Sequence, residues 1–133
     1  MPDTIEGPAL DLLKDKNFAT FSTLRKDGTI QSVVVWTDAD DKGRVVLNSA
    51  EGRAWPENLR RTGHGTVTVV NRENPMEFVA VTGELEVDTN EDGEAVIHAL
   101  SQKYMGTDYP WLGDDTRVTF RLKPTKVTYS KQG

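Results

Sequence analysis

Six alternating or β-branched stretches, separated by short turn signals, constrain the fold of this chain more than any other feature of its sequence. Asp27-Gly28 is typical of a tight hairpin turn between the first two stretches. Because successive hairpins leave two open sheet edges, a chain with this many strands tends to close into a barrel. The predicted strands are residues 18–24, 29–39, 44–50, 65–72, 77–87 and 116–130.

Two of the predicted strands contain a residue that interrupts regular pairing. Gly83, in the middle of the fifth strand, indicates a bulge or a bend. Pro124 has no amide hydrogen, so the last strand must lie at a sheet edge or break at that point. We therefore expect antiparallel pairing that is irregular in its last two strands.

Short helices are predicted before and between the strands. Pro8 opens the first helix, and Pro56 places a second helix at roughly residues 53–61, with Gly63 as its stop. These signals complete a mainly β fold with a few helices, formed by one domain of residues 1–133.

The longest predicted helix lies within residues 88–106. Acidic residues fill its first turn and Gly106 ends it. The apolar periodicity predicts a buried stripe made of Val96, Ala99, Leu100 and Tyr104.

The composition excludes several classes of protein. A net charge of −5 argues against general nucleic-acid binding, which needs a basic surface. The absence of cysteine excludes disulfides, thiolate catalysis and thiolate metal sites. No cationic segment precedes an apolar run at the N-terminus, and no stretch reaches the roughly 20 apolar residues of a membrane span. We therefore expect a cytoplasmic protein.

The common catalytic motifs are missing from the sequence. His64 and His98 lack the spacing of a metal pair, and no nucleophile elbow or phosphate-binding P-loop is present. The clustered carboxylates lie in predicted turns and at a helix start, where they are typical of solvated surface. We expect neither a metal site nor a self-contained acid–base pair.

The corner at residues 48–61 is the strongest candidate for a binding site. A helix N-terminus offers unpaired amides, Ser49 adds a hydroxyl and Arg53 adds a forked cation, all suited to a phosphate or carboxylate. Trp55 offers a flat apolar face for an aromatic ligand. The alternative is a surface helix with Trp55 packed in the core and Arg60 and Arg61 merely complementing the helix dipole.

The order of these motifs resembles a known family. The segment SVVVWTDADDKGRVVLNSAEGRAWPENLRRTGHGTVTVV and the later QKYMGTDYPW resemble the flavin-binding split-barrel superfamily, which includes pyridoxamine 5′-phosphate oxidase. Within it, the chain looks like the short members considered to be F420-dependent enzymes. The resemblance implies a six-stranded antiparallel split β-barrel that pairs as a homodimer, with a cofactor in each cleft between subunits.

The resemblance also implies the residues of the cofactor site. The strand from Val33 to Thr37 would lie along the ring, and Arg53 would hold the phosphate. Residues near Tyr109 and Trp111 could close the site, from the same subunit or from the second one. The implied cofactor-binding residues are Val33, Val35, Thr37, Asn48, Ser49, Arg53, Trp55, Asn58 and Trp111.

One departure from the family pattern concerns the phosphate. The family usually has a lysine two residues after the arginine, and Trp55 stands there in this chain. Three alternatives follow. Arg53 alone would hold the phosphate, Arg60 or Arg61 would replace the missing lysine, or the anionic tail of the cofactor would take another path.

Three functions remain open from the sequence. The first is hydride transfer between a deazaflavin cofactor, coenzyme F420, and a small conjugated substrate, with a proton from water or from a hydroxyl such as Ser49 or Tyr104. The spacing of the cations Arg53, Arg60 and Arg61 favours this cofactor, because its anionic tail is long. The second is an FMN-dependent oxidoreductase of the pyridoxamine phosphate oxidase-like class. The third is a non-catalytic binder of a flavin, haem or other flat molecule.

Overall fold

The computed structural model describes residues 2–132, which form seven strands and three helices. Met1 and Gly133, the ends of the predicted domain, lie outside the described residues. The helices are α1 (Gly7–Lys14), α2 (Ala54–Thr62) and α3 (Gly93–Met105). The strands are β1 (Ala19–Leu24), β2 (Ile30–Val35), β3 (Asp38–Ala39), β4 (Val45–Ala50), β5 (His64–Asn71), β6 (Asn74–Thr89) and β7 (Arg117–Lys131). The fold is mainly β, as the sequence predicts.

All seven strands belong to one antiparallel sheet that curls into a barrel. The strand order is β2-β1-β5-β6-β7-β4-β3, so β2 and β3 are its two edges. Laid flat, seven strands would separate these edges by roughly 29 Å. However, β2 ends at Val35 and β3 starts at Asp38, a connection that spans at most roughly 10 Å. The sheet must therefore curve until its edges meet.

The junction of the two edges corrects the prediction of six strands. Residues 29–39 were expected to form one strand, but the chain breaks at Trp36 and Thr37. Thr37 is fully buried, and its hydroxyl donates a hydrogen bond of 2.9 Å to the carbonyl oxygen of Val46. This side chain bonds to the backbone where strand pairing is interrupted, which allows the chain to cross from one edge to the other.

The irregular pairing predicted for the last two strands is confirmed. The β6–β7 register shifts between Thr82 and Gly83, and Gly83 lies opposite Pro124. Beyond Leu122, β7 has no pairing to β4, so Pro124 lies where that side of the strand is an edge. A proline is tolerated there because no ladder hydrogen bond is lost.

The barrel interior is filled by aliphatic and aromatic side chains that alternate along the strands. Phe21 of β1 and Phe120 of β7 are its largest fully buried members, and α2 closes over them with Leu59. Helix α3 packs on the outer side of β4 and β7, which buries the segment of β7 from residue 117 to 122 almost completely on both faces. None of the helices within residues 2–132 is long and apolar enough to cross a membrane.

The buried stripe of α3 differs from the prediction by one residue position. Leu100 and Tyr104 are buried as expected, but Ile97 and Ser101 join them. Val96 is half-buried and Ala99 is exposed. The stripe is rotated because α3 begins at Gly93, which lies directly against the backbone of β7 and fixes which face is turned inward.

Gly93 should be intolerant of any side chain. A Cβ atom at this position would lie 2.2 Å from the carbonyl oxygen of Arg117, a backbone atom that cannot rotate away. We expect Gly93→Ala to lower the free energy of unfolding by about 2–3 kcal/mol through this overpacking. Urea denaturation followed by circular dichroism measures the change. Glu94→Ala, at the neighbouring exposed position, is the matched control, and equal stability of the two variants would contradict the packing argument.

Candidate functional site

A cleft of about 290 Å³ lies where β4, the start of α2, α3 and the loop after α3 meet. One part of its lining, the aromatic end, is a set of rings, and the other part, the polar end, carries two arginines. The two parts meet at Tyr109, whose ring contacts Arg117. Its lining residues are Phe18, Val34, Val35, Trp36, Asn48, Ser49, Arg53, Trp55, Ile97, Leu100, Tyr109, Trp111 and Arg117.

The aromatic end is a series of rings in mutual contact. Trp36 stacks on Tyr104 with 5.4 Å between ring centroids and an interplanar angle of 7°. Tyr109 meets Trp36 edge-on at 6.2 Å, and Trp111 meets Tyr109 edge-on at 5.6 Å. Stacked and edge-to-face contacts of this kind add to the energy of apolar burial. These contacts give the cleft an extended aromatic wall.

Tyr104 fixes this wall from behind. Its hydroxyl donates a hydrogen bond of 2.6 Å to the carbonyl oxygen of Asn17. Burial raises the pKa of Tyr104 to about 12, because a phenolate would be desolvated there. Lys103 lies 5.0 Å from the Tyr104 ring centroid and donates to the carbonyl oxygens of Leu13 and Thr37. The ring on which Trp36 stacks is thus held at its tip and supported by a cation.

The polar end of the cleft is formed by residues from three elements. Asn48 and Ser49 lie near the end of β4, and Arg53 is the exposed residue that precedes α2. Arg117 is the first residue of β7 and pairs with Ala50, the last residue of β4. Two guanidinium groups therefore line one cleft in a chain whose net charge is −5.

Arg117 is buried and firmly positioned. Its Nε donates a hydrogen bond of 2.9 Å to Oδ1 of Asn48. The guanidinium carbon lies 5.2 Å from the centroid of the Tyr109 ring, a cation–π contact. Burial, together with the positive charge of Arg53, lowers the pKa of Arg117 from its ordinary value, while Tyr109 and Asp115 oppose that shift. Because arginine ionises so far above neutrality, the group stays charged at neutral pH.

The structure brings together six of the nine predicted site residues. Val35, Asn48, Ser49, Arg53, Trp55 and Trp111 line the cleft. The other three, Val33, Thr37 and Asn58, do not. Val33 packs against the core, Thr37 is buried at the strand junction, and Asn58 donates to Gln31 and Thr23. Each of these three has a structural partner in place of a ligand.

Trp55 contributes mostly to the core. Only 6% of the residue is exposed, and its ring packs edge-on against Phe21 at 5.2 Å and against Phe120 at 5.5 Å. Only part of the side chain reaches the cleft wall. The indole thus packs as in the core alternative of the sequence analysis, while the residue also borders the cleft.

The two arginines expected to replace the family's lysine are engaged elsewhere. Arg60 contacts the carboxylates of Glu51, Glu57 and Asp88, two of them at 2.8 Å. Arg61 donates to Oδ1 of Asn58 and to the carbonyl oxygen of Leu24. Neither arginine lines the cleft. Arg117 is the cation that does so besides Arg53, and no sequence motif marked it.

Several other lining residues were missed by the sequence analysis. They are Phe18, Val34, Trp36, Ile97 and Leu100, whereas Tyr109, which also lines the cleft, was among the residues considered for closing the site. Val34 and Trp36 lie within the segment Val33 to Thr37 that was expected along the ring, so their position was a usable signal. Ile97 and Leu100 would have been found only from the orientation of α3.

The two histidines take no part in this cleft. His64 is exposed at the start of β5. His98 accepts a hydrogen bond of 3.0 Å from the Tyr109 amide and lies 3.8 Å from Glu94, so it supports the loop behind the wall. Within residues 2–132, no group of three or more histidine or acidic side chains is placed to hold a metal ion.

A larger groove lies beside the N-terminal segment but offers different chemistry. Its volume is about 460 Å³, and it is lined by Pro2, Asp3, Thr4, Glu6, Pro8, Ala9, Val127 and Tyr129. The lining includes two carboxylates and no positively charged side chain. The groove therefore does not suit an anionic ligand, and the smaller cleft is the better candidate.

Sequence comparison with known families decides the classification. The pyridoxamine 5′-phosphate oxidase family model matches residues 5–131. This chain belongs to the pyridoxamine 5′-phosphate oxidase family. The match covers nearly all of the chain and confirms the resemblance inferred from its motifs. None of the curated proteins matches the chain at a significant level.

Solved structures with a similar fold support the split-barrel class. One is an F420 reductase, with a TM-score of 0.83 and 22% identity, covering 93% of this chain and 98% of the other. Another is a candidate pyridoxamine 5′-phosphate oxidase of Listeria innocua, with a TM-score of 0.67 and 18% identity, covering 90% of this chain and 93% of the other. A third is the Rv2991 protein of Mycobacterium tuberculosis, with a TM-score of 0.68 and 18% identity, covering 97% of this chain and 87% of the other. At these identities the likeness establishes the fold.

The two tryptophans of the cleft should differ sharply in their effect on stability. We expect Trp55→Ala to lower the free energy of unfolding by about 3–5 kcal/mol, because it empties a site between two buried rings. Trp111 is 64% exposed, so Trp111→Ala should change it by less than about 1 kcal/mol. Chemical denaturation followed by circular dichroism compares the two variants. A small loss for Trp55→Ala would show that the indole is not part of the core.

Tyr104 should make the protein sensitive to alkali. An unfolded tyrosine ionises near its ordinary pKa of 10.0, whereas Tyr104 in the folded chain ionises at about 12. The stabilisation is therefore complete below pH 10 and is lost as the pH rises towards 12, by on the order of 2 kcal/mol. Urea midpoints at pH 9 and pH 11 measure this loss. Tyr104→Phe, which keeps the stacked ring, should lose less between the two values, and an equal loss would contradict the assignment.

Proposed function

We propose that this chain is an oxidoreductase that passes hydride between a deazaflavin cofactor, coenzyme F420, and a small conjugated organic substrate. The observation that carries the proposal is the lining of the cleft, which combines an aromatic wall with two arginines. A flat ring with an anionic tail complements both ends. The fold shared with an F420 reductase supports the same choice.

The residues of the polar end fit an anionic tail. Arg53 precedes α2, whose first amides have no partner within the helix and carry partial positive charge. Ser49 lines the same corner, and its hydroxyl donates to the carbonyl oxygen of Ala50. Arg53 would hold a phosphate group with two parallel hydrogen bonds, and the helix amides would complete its coordination.

The residues of the aromatic end would hold and shield the ring. When bound, the deazaflavin supplies the carbon that carries hydride, so the protein needs only to bind, orient and exclude water. Trp36 is fixed by its stack on Tyr104, and Val35 lies beside it on the same wall. The hydroxyl of Tyr104 donates to Asn17 away from the cleft. The hydroxyl of Ser49 is buried and donates to the carbonyl oxygen of Ala50 at 3.0 Å, so water is the proton source that we favour.

FMN is the alternative cofactor, and one observation favours it. The preference for the long anionic tail of coenzyme F420 depended on Arg60 and Arg61. Both side chains bind other groups of the protein, Arg60 the carboxylate of Asp88 and Arg61 the amide oxygen of Asn58. Arg53 and Arg117 instead line one small cleft, and a compact pair of cations suits a terminal phosphate dianion. The protein would then be an FMN-dependent oxidoreductase with the same aromatic wall.

We further propose that the protein works as a homodimer in the cytoplasm. A cleft of about 290 Å³ is at the lower limit for a small-molecule site, so one chain would cover only part of such a cofactor. The rim of the cleft is apolar yet open, since Phe18 is 58% exposed and Val34 is 73% exposed. A second copy laid over this rim would bury these side chains and enclose the ring.

Cofactor titration tests the proposal. We expect the purified protein to quench the fluorescence of added coenzyme F420 and to oxidise its reduced form when a conjugated acceptor is present. Arg53→Gln should weaken binding by about 2 kcal/mol, or roughly 30-fold, through loss of a charge-assisted contact. Arg72→Gln removes the same charge from an exposed turn and should bind normally.

The other outcomes separate the rival functions. A yellow protein that binds FMN more tightly than the deazaflavin would identify the alternative enzyme. Tight binding without turnover across a panel of acceptors would identify a non-catalytic carrier. Failure of both cofactors to bind would overturn the proposed function, and a monomer at the working concentration would overturn the proposed dimer.

A further inference from the structure

Arg117 occupies an unusual electrostatic position among the arginines of this chain. Only 8% of the residue is exposed, and a buried charge is costly unless it is paired. Arg44, Arg60 and Arg121 each have a carboxylate oxygen within 2.8 Å or less. The nearest carboxylate recorded for Arg117 is that of Asp115, whose Oδ2 lies 3.7 Å from Nη1, too far for a good hydrogen bond.

Neutral groups hold the Arg117 side chain in this under-neutralised position. Asn48 accepts from Nε, and its own amide donates to the carbonyl oxygen of Gly93 at 2.9 Å and to Oγ1 of Thr119 at 3.2 Å. The orientation of the Asn48 amide is therefore fixed by three contacts. Tyr109 covers one face of the guanidinium. This arrangement orients the cation without cancelling its charge.

A second positive charge lies in the same cleft. Arg53 and Arg117 both line it, and the charge of Arg53 contributes to the lowered pKa of Arg117. Two guanidinium groups that repel each other across a cleft are stabilised when an anion enters between them. Each also presents a planar fork of donors that matches the oxygens of a phosphate.

We propose that Arg117 is a second anion-binding residue of this cleft, held in place by Asn48, and that it grips an oxyanion of the phosphate class together with Arg53. The inference deepens the proposed function by naming the residue that supplies the cation absent at Trp55. It places that cation at the start of β7, in the same cleft as Arg53. Asn48 is then a positioning residue and not itself the anion ligand.

Inorganic pyrophosphate tests this role without any cofactor. We expect it to bind the wild-type protein and raise its melting temperature, because a ligand of the native state stabilises it. Arg117→Gln and Arg53→Gln should each weaken pyrophosphate binding about tenfold or more, as measured by calorimetry. Arg72→Gln, which removes an equal charge from an exposed turn, should bind like the wild type. Absence of pyrophosphate binding by the wild type, or unchanged binding by Arg117→Gln, would overturn the proposal.

Two further measurements cover a variant that fails to fold. Arg117→Lys keeps the charge but loses the fork and the contact with Asn48, so it should bind pyrophosphate more weakly than the wild type. In wild-type protein labelled with ¹⁵N-arginine, the Nε–H signal of Arg117, identified by its absence from Arg117→Lys, should shift as pyrophosphate is added. A signal that stays fixed at saturation would overturn the proposal.

The same experiments distinguish this inference from the proposed function. If the protein binds pyrophosphate through Arg117 but binds neither the deazaflavin nor FMN, the result supports the anion site and contradicts the proposed enzyme activity. If the wild type and Arg117→Gln bind a cofactor equally well, the result supports the proposed function and contradicts the role assigned to Arg117.

Discussion

The connection between the two edge strands carries a contact on which both the barrel and the cleft depend. Tyr104 of α3 places its hydroxyl against the backbone at Thr37 and Asn17, and its ring stacks on Trp36. One side chain therefore ties the helix to the point where the edges meet and supports the wall of the cleft. Because the Tyr104 ring is packed and bonded at its tip, the orientation of Trp36 follows from closure of the sheet.

Charge in this molecule is organised at short range. The chain is acidic overall, and Arg44, Arg60 and Arg121 are paired with carboxylates. Its summed field would repel an approaching anion, although physiological salt screens that repulsion beyond about 8 Å. Selectivity for an anionic ligand must then come from short-range contacts inside the cleft, which the exposed Arg53 and the buried Arg117 both line.

Much of the fold could be predicted because turn chemistry is local. Asp27-Gly28, Gly63 and Gly83 act through their own backbones, and the elements they bound appeared where expected. The break at Trp36 and Thr37 could not be predicted, since neither residue disfavours a strand and the break serves closure between distant strands. Arg117 was missed for the same reason. Its role comes from Asn48 and Tyr109, partners distant in sequence that only the tertiary fold brings together.

Trp55 shows how a packing requirement can move a binding residue to another element. The barrel end under α2 is bounded by Phe21 and Phe120, and the indole fills the space between them. A lysine at this position would leave that space poorly filled or bring its ammonium close to apolar rings, where burial disfavours the charged form. A cation for this cleft is therefore better carried by a residue outside the hydrophobic core. The first residue of β7 satisfies that condition, because it lies beside the end of β4 and borders the same cleft as Arg53.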